Sequence, residues 1–272
     1  MKKCFIILLL LMLLALPACR MRSEHKVIVA GSTSVQLFAE ILAEAYVHDH
    51  DGEEIDVQGG GSSAGIMAAE SGAAEIGMSS RALKDGEKGL WSVEIAKDGL
   101  AIIVHPSNPI NDLSIEQVKK IYAREITNWS EVGGANAAIH IIAREDGSGT
   151  RSAFEELVMG LKTDNEREIA LEAVILPSNG AIRQFVSGDA KAIGFISLGL
   201  VEGEKGDKPV KAVALGGVPA TRENVSSGDY ALFRPFLFIA REQPTGAALE
   251  FIDYVLSPQG QEIMAGEGLI TK

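Results

Sequence analysis

Three stretches of the chain repeat one arrangement: a short apolar run, a loop of small and hydroxylated residues, then the start of a helical pattern. They are Val29-Ala30-Gly31-Ser32-Thr33-Ser34, Gln58-Gly59-Gly60-Gly61-Ser62-Ser63 and Arg144-Glu145-Asp146-Gly147-Ser148-Gly149-Thr150. A helix N-terminus has backbone N–H groups without intrahelical partners and a partial positive charge, and glycines let the backbone approach a ligand closely. Serine and threonine hydroxyls add donors without adding charge. Together they suit a small oxyanion held in a nest of dipoles. Arg144 sharpens this, because a guanidinium at a strand end can fork onto a tetrahedral anion, and Asp146 can accept a proton from one. Any single loop is equally what an N-capped βα turn contains, and an arginine–aspartate pair is common on surfaces. Three loops of one composition point beyond capping.

Other chemistries fit less of the chain. Gly61-Ser62-Ser63-Ala64-Gly65 matches the G-x-S-x-G elbow, with Ser63 as nucleophile, and keeps a secreted serine hydrolase as the enzymatic alternative. That mechanism needs an acid and then a histidine downstream, yet of the five histidines only His105 and His140 follow Ser63, and both read as strand-end residues. Gly59-x-Gly61-x-x-Ala64 also fits a dinucleotide fingerprint, but on the second strand of the chain rather than the first. A glycine-lysine-serine/threonine run and clustered Cys/His ligands are both missing, so neither a P-loop nor a metal or other cofactor is expected.

Composition narrows the partners. The 272 residues, 46% hydrophobic and 23% charged, have the make-up of a folded globular protein with room for two medium domains. Net charge is −12, which disfavours nucleic acid or an anionic membrane surface as a bulk-electrostatic partner. Aromatic residues are 6% of the chain, too few for a stacking platform, so polar side chains and backbone must do the recognising.

Met1-Lys2-Lys3 followed by the apolar run Phe5–Ala15 has the form of an export signal, with residues 1–18 removed. Leu16-Pro17-Ala18-Cys19 resembles the lipobox of bacterial lipoproteins, which implies lipidation of Cys19, a tether over 19–25 and a place on the outer face of the cytoplasmic membrane. No cysteine follows Cys19, so no disulfide is expected.

The elements that carry the loops alternate strand and helix, which predicts an α/β fold with a mostly parallel sheet. Strands are expected at 27–30, 55–58, 75–78, 100–105, 139–143, 192–196, 211–215 and 233–240, and a helical period continues from Arg151 to Leu161. Ser114-Ile115-Glu116-Gln117 has the form of a capping box, and Ser257-Pro258 marks another helix start. Pattern breaks at 105–109 and 216–219 suggest two crossings of a discontinuous two-lobe chain, residues 26–105 plus 220–272 forming lobe 1 and 106–219 lobe 2. Neither lobe shows a long spare apolar face, so a monomer is expected.

At these residues the chain resembles the substrate-binding proteins of bacterial phosphate ABC importers, in their short lipoprotein branch. The likeness runs through Gly31–Ser34, Gly61–Gly65, Ile76-Gly77-Met78-Ser79-Ser80-Arg81, Ile126-Thr127-Asn128-Trp129, Arg144–Thr150, Ala192-Ile193-Gly194-Phe195 and Ser257-Pro258-Gln259-Gly260-Gln261. It implies a type II-like periplasmic-binding-protein fold of mixed sheets flanked by helices, closing on phosphate between the lobes, and a permease partner. It implies phosphate contacts from Thr33, Ser34, Ser62, Arg144, Asp146, Ser148, Gly149 and Thr150, with Ser32, Ser80 and Arg81 in the adjoining loops as further candidates. Longer-branch members have an aspartate where this chain reads Ser80-Arg81, which leaves Asp146 as the acidic acceptor of these loops. Phosphate carries a proton near neutral pH and sulfate none, so Asp146 is the expected filter against sulfate. Sulfate or molybdate binding, or phosphate sensing, are the nearest alternatives.

Overall fold

The computed structural model describes residues 25–161, 169–201 and 209–271. The expected signal segment, Cys19 and the tether up to residue 24 lie outside the described residues.

In chain order the elements are β1 (His25–Gly31), α1 (Thr33–Asp49), β2 (Glu53–Gly59), α2 (Ser62–Ser71), β3 (Ile76–Ser79), β4 (Trp91–Val104), β5 (Asp112–Leu113), α3 (Ile115–Tyr122) and β6 (His140–Arg144). There follow α4 (Gly149–Phe154), β7 (Val174–Leu176), α5 (Asn179–Gly188), β8 (Ala192–Ser197), β9 (Lys211–Ala212), β10 (Ala214–Leu215), α6 (Arg222–Ser227), β11 (Phe233–Ala240), α7 (Gly246–Leu256) and α8 (Pro258–Gly266). Strand and helix alternate from β1 to β3 and from β6 to β8, whereas β3 to β5 and β8 to β10 follow one another without an α-helix between them. The capping box is real: Ser114 Oγ accepts from Gln117 N–H at 3.0 Å and Gln117 Oε1 accepts from Ser114 N–H at 2.8 Å. Ser257 caps α8, with Pro258 in its first turn.

Among the described residues one sheet runs β2-β1-β3-β11-β4-β8-β6-β7, with β9 beside β4, and β5 and β10 form a small separate pair. The β1–β2, β1–β3, β6–β7 and β6–β8 pairs are parallel, whereas β11 is antiparallel to both β3 and β4, and β4 to β8. The sheet is therefore mixed and not mostly parallel as the strand–helix pattern predicts, because β4 and β11 run against their neighbours. β4 is shared: residues 91–99 pair with β11 and residues 100–104 pair with β8.

Alternation along the strands divides the apolar residues among cores on both faces of the sheet. At the β1 end, Val29, Phe38, Leu42, Met78, Phe236, Phe238 and Phe251 pack together, with Ile66, Ala69, Leu237 and Ile239 on the opposite face. At the β6 end, Leu100, Ile102 and Val104 join Tyr122, Phe154 and Phe195, while Ala101 and Ile103 face Ile142, Ile182 and Val186. Each half thus has its own buried core. Val225, Tyr230 and Leu232 contribute to the second of these cores, although they follow residue 220.

Several elements depart from the sequence pattern, β5 and β7 among them as strands that it did not predict. β4 starts at Trp91 instead of Leu100, because the Asp98-Gly99 pair, a turn signal in sequence, sits mid-strand here. A Cβ on Gly99 would lie 2.8 Å from Leu198 Cδ2 and 3.0 Å from Val225 Cγ2, so packing selects that glycine. The expected strand at 211–215 splits into β9 and β10, which pair with β4 and β5 respectively. The helix begun at Gly149 widens into a π turn over Glu155–Met159 and stops at Gly160, whose φ is 78°.

Candidate functional site

Four helix N-termini meet at the line where the two halves touch. Ser32 caps α1: its Oγ accepts from Ser34 N–H at 3.2 Å and donates to Ser80 Oγ at 2.8 Å. Ser62 opens α2, and its Oγ accepts from Ser80 N–H at 3.0 Å. Ser148 caps α4, accepting from Arg151 N–H at 3.3 Å. Asn179 opens α5 behind its cap Ser178.

Close backbone packing brings α2 to this point. A Cβ on Gly65 would lie 2.5 Å from Ala30 O and 2.6 Å from Gly31 Cα, so only glycine lets the helix sit directly on β1. That contact sets Ser62 beside Ser80 at the end of β3. Both serines are fully buried.

Bonds across the cleft come from the opposite half. Ser34 Oγ and Thr150 Oγ1 are 2.8 Å apart, and Asn179 Nδ2 donates to Ser34 Oγ at 2.9 Å and Thr33 Oγ1 at 3.3 Å. Ser63 N–H donates to Gly147 O at 3.0 Å. Gly149 fits so tightly that a Cβ there would fall 2.2 Å from Ser62 Oγ and 2.6 Å from Ser80 Oγ.

Two buried arginines border the cluster, and each has its own carboxylate. Arg144, 1% exposed in its side chain, donates to Glu145 through Nε at 2.8 Å and Nη2 at 2.7 Å, and its Nη1 lies 3.4 Å from Thr150 Oγ1. Arg234 Nη2 donates to Asp98 Oδ2 at 3.0 Å and to Ser34 Oγ at 3.1 Å. Burial pushes the Asp98 carboxyl up and the Arg234 guanidinium down, and each is pulled back by the other's charge; the nearby Arg144 adds to the pressure on Arg234. The arrangement gathers hydroxyl, amide and guanidinium groups, the donors an anion accepts from, among side chains that are themselves buried.

Of the residues singled out from sequence, the structure brings Ser32, Thr33, Ser34, Ser62, Ser80, Arg144, Ser148, Gly149 and Thr150 together. Two candidates stand elsewhere. Asp146 is 64% exposed in its side chain, with Oδ1 3.2 Å from Arg151 Nη1. Arg81 is buried, but its guanidinium is occupied by Glu87, at 2.7 Å and 2.8 Å, and by Ala82 O at 2.9 Å. Asp98, Ser197 and Arg234 carry no loop signature and join the cluster only in three dimensions.

Arg81 holds the Glu87 carboxyl below its ordinary range. A carboxyl with a depressed folded pKa stabilises above its unfolded value of about 4.3 and loses that contribution as pH falls through the folded value. Glu87→Gln is therefore expected to flatten the acid limb of stability, read as thermal unfolding between about pH 5 and pH 3. Equal acid sensitivity in variant and parent would contradict this.

Ser63 finds no hydrolase partners among the histidine bonds of the described residues. His105 Nδ1 is 2.7 Å from Ser107 Oγ, His140 Nδ1 is 2.6 Å from Asp189 Oδ2, and His50 Nδ1 is 2.8 Å from Tyr46 O.

Comparison with known proteins agrees with this geometry. The model of the PBP superfamily domain matches residues 22–259. A phosphate-bound structure from Clostridium perfringens, described as a phosphate ABC transporter substrate-binding protein, is 45% identical with a TM-score of 0.85, covering 91% of this chain and 100% of that one. An ABC-type phosphate transport receptor from Vibrio cholerae is 37% identical with a TM-score of 0.74, over 91% of this chain and 100% of that one. The phosphate-binding protein PstS of Bacillus subtilis is 28% identical over 254 residues, 92% of this chain and 81% of the relative. With its mixed sheet, paired cores and cleft of helix N-termini, the chain belongs to the PBP superfamily, as one of its PstS-like substrate-binding proteins.

Proposed function

We propose that the protein binds inorganic phosphate outside the cytoplasm and delivers it to the permease of an ABC importer. The observation that carries this reading is the convergence of four helix N-termini with Arg144 and Arg234 on one buried set of hydroxyls spanning both halves. Relatives named for phosphate binding, similar over nearly the whole chain, support the choice of anion. The site binds and releases without turnover, since its side chains are donors and neutralised charges and, among the described residues, the histidine bonds do not reach Ser63.

Direct contacts are assigned to Thr33, Ser62, Ser80, Arg144, Ser148, Gly149 and Thr150, with Ser32 bracing Ser80 and Ser34, expected from the sequence as a contact, orienting Thr150 instead. Two lobes, each built on one of the cores, meet over the anion and hinge where β4 and the approach to β11 pass between them. Export and a lipid anchor at Cys19 would place the protein at the outer face of the membrane, as a monomer beside its permease.

Titration calorimetry with phosphate, sulfate and molybdate, on purified protein stripped of carried-over ligand, tests the reading. Tight one-to-one phosphate binding with weak or absent response to the others is expected. Preference for sulfate or molybdate would replace phosphate as the ligand, and silence toward all three would reduce the cluster to capped turns.

Asp146 acts at one remove in this arrangement. It pairs with Arg151, whose Nη1 also donates to Arg144 O at 2.9 Å, so it steadies the backbone of the Arg144 loop. A pair whose carboxylate is open to solvent contributes little, and Asp146→Asn should change phosphate affinity by no more than about threefold and leave sulfate rejection intact. A loss beyond about tenfold in the same titration would restore Asp146 as a direct contact.

A further inference from the structure

Beneath the hydroxyls lies a closed ring of polar bonds. Arg234 and Asp98 face each other as register partners on β11 and β4, with side chains 2% and 1% exposed. Nε at 3.2 Å and Nη2 at 3.0 Å hold the same carboxylate oxygen, Oδ2. The other oxygen accepts from Ser197 Oγ at 2.8 Å. Ser197 N–H donates to Asn179 Oδ1 at 3.3 Å, Asn179 Nδ2 donates to Ser34 Oγ at 2.9 Å, and Arg234 Nη2 closes the ring on that same oxygen at 3.1 Å.

Counting protons along the ring gives it a direction. A hydroxyl has one proton and two lone pairs. Asn179 and Arg234 fill both lone pairs of Ser34, so in its 2.8 Å contact with Thr150 Oγ1 the proton belongs to Ser34. Thr150 receives from Ser34 and, at 3.4 Å, from Arg144 Nη1, which leaves its own proton free for a ligand. On the other side Arg234 Nη1 lies 3.5 Å from Ser80 Oγ, which already accepts from Ser32.

Stability alone gives little reason for this pair. Buried ion pairs are often matched or exceeded by apolar residues of similar volume, because desolvation offsets the attraction.

We propose that Arg234, held by Asp98, is a positioning residue of the anion site: it aims the Ser34 proton so that Thr150 meets phosphate as a donor. The assignment rests on the phosphate-binding reading above.

The test pairs calorimetric titration of inorganic phosphate with thermal unfolding for Arg234→Met, Arg234→Lys and the double variant Asp98→Leu/Arg234→Met. Arg234→Met should weaken phosphate about 100-fold, and Arg234→Lys should recover part of that by returning one cationic donor. The double variant should regain the melting temperature lost by the single one, yet remain at least about 30-fold weak. Recovery of affinity together with stability would overturn the proposal, as would an Arg234→Met protein binding within about threefold of the parent. Should the double variant fail to unfold cooperatively, the cycle of Arg234→Met with Ser34→Ala decides. Action through Ser34 requires that the second substitution add less than about threefold to the first, and full additivity overturns it. A parent that takes sulfate or molybdate in place of phosphate would overturn the ligand assignment, while the same cycle in that anion still judges Arg234; silence toward all three overturns both.

Discussion

Gly149→Ala is expected to lower phosphate affinity about 100-fold while leaving the fold as stable as before. Gly149 is the first residue of α4, and alanine suits that place at least as well as glycine. The cost arises only where the halves meet. A Cβ there would lie 2.2 Å from Ser62 Oγ, 2.6 Å from Ser80 Oγ and 3.0 Å from Ser62 Cβ. The two hydroxyls could swing aside, but Ser62 Oγ would abandon the Ser80 N–H that it accepts from at 3.0 Å, and the Cβ contact would remain. Overpacking of this kind costs about 1–3 kcal/mol, and each lost bond adds about 1 kcal/mol. Titration against melting temperature separates the two effects. Unchanged affinity would mean that the halves do not close over the anion at Gly149.

The second large effect is expected at Arg144. Bonds from a charged donor to an anion contribute about 1.5–3 kcal/mol each, so Arg144→Gln should weaken phosphate about 100-fold or more. Part of that loss comes from Glu145, whose carboxylate is held by two guanidinium nitrogens in the parent and would face the incoming anion unpaired. Arg144→Gln/Glu145→Gln should therefore bind about tenfold more tightly than the single variant, though still well below the parent. Equal affinity of single and double variants would show that Glu145 does not act on the ligand.

These expectations draw on features of unequal visibility in the sequence. Loops that begin helices announce themselves through composition, so Ser32, Ser62 and Ser148 were readable as helix starts and proved to share one locus. Arg144 was readable because a guanidinium at a strand end, beside one of three loops of the same composition, can fork onto a tetrahedral anion. Arg234 was hidden, being one charged residue in the apolar strand Phe233-Arg234-Pro235-Phe236. Asp98 was concealed by Gly99, since an aspartate-glycine pair signals a turn unless its neighbours in space are known. Arg81 illustrates the converse: adjacency to Ser80 suggested a ligand contact, and the Glu87 carboxylate six positions on, at 2.7 Å, claims its guanidinium instead. The alternation of strands and helices foretold the α/β class but a mostly parallel sheet, and only the observed pairing reveals that β4 and β11 run against their neighbours and that β4 belongs to both halves.

The pairing of Arg234 with Asp98 and of Arg144 with Glu145 also bears on the kinetics of capture. Formally these four side chains cancel, and the chain as a whole carries −12. A net charge of −12 gives no long-range pull on an anion from beyond a Debye length, about 8 Å in physiological salt. Encounter is left to unsteered diffusion against a weakly repelling body, and added salt screens a repulsion instead of an attraction. On the phosphate-binding reading, any tight binding would have to come from a long residence time, set by how slowly the two halves part.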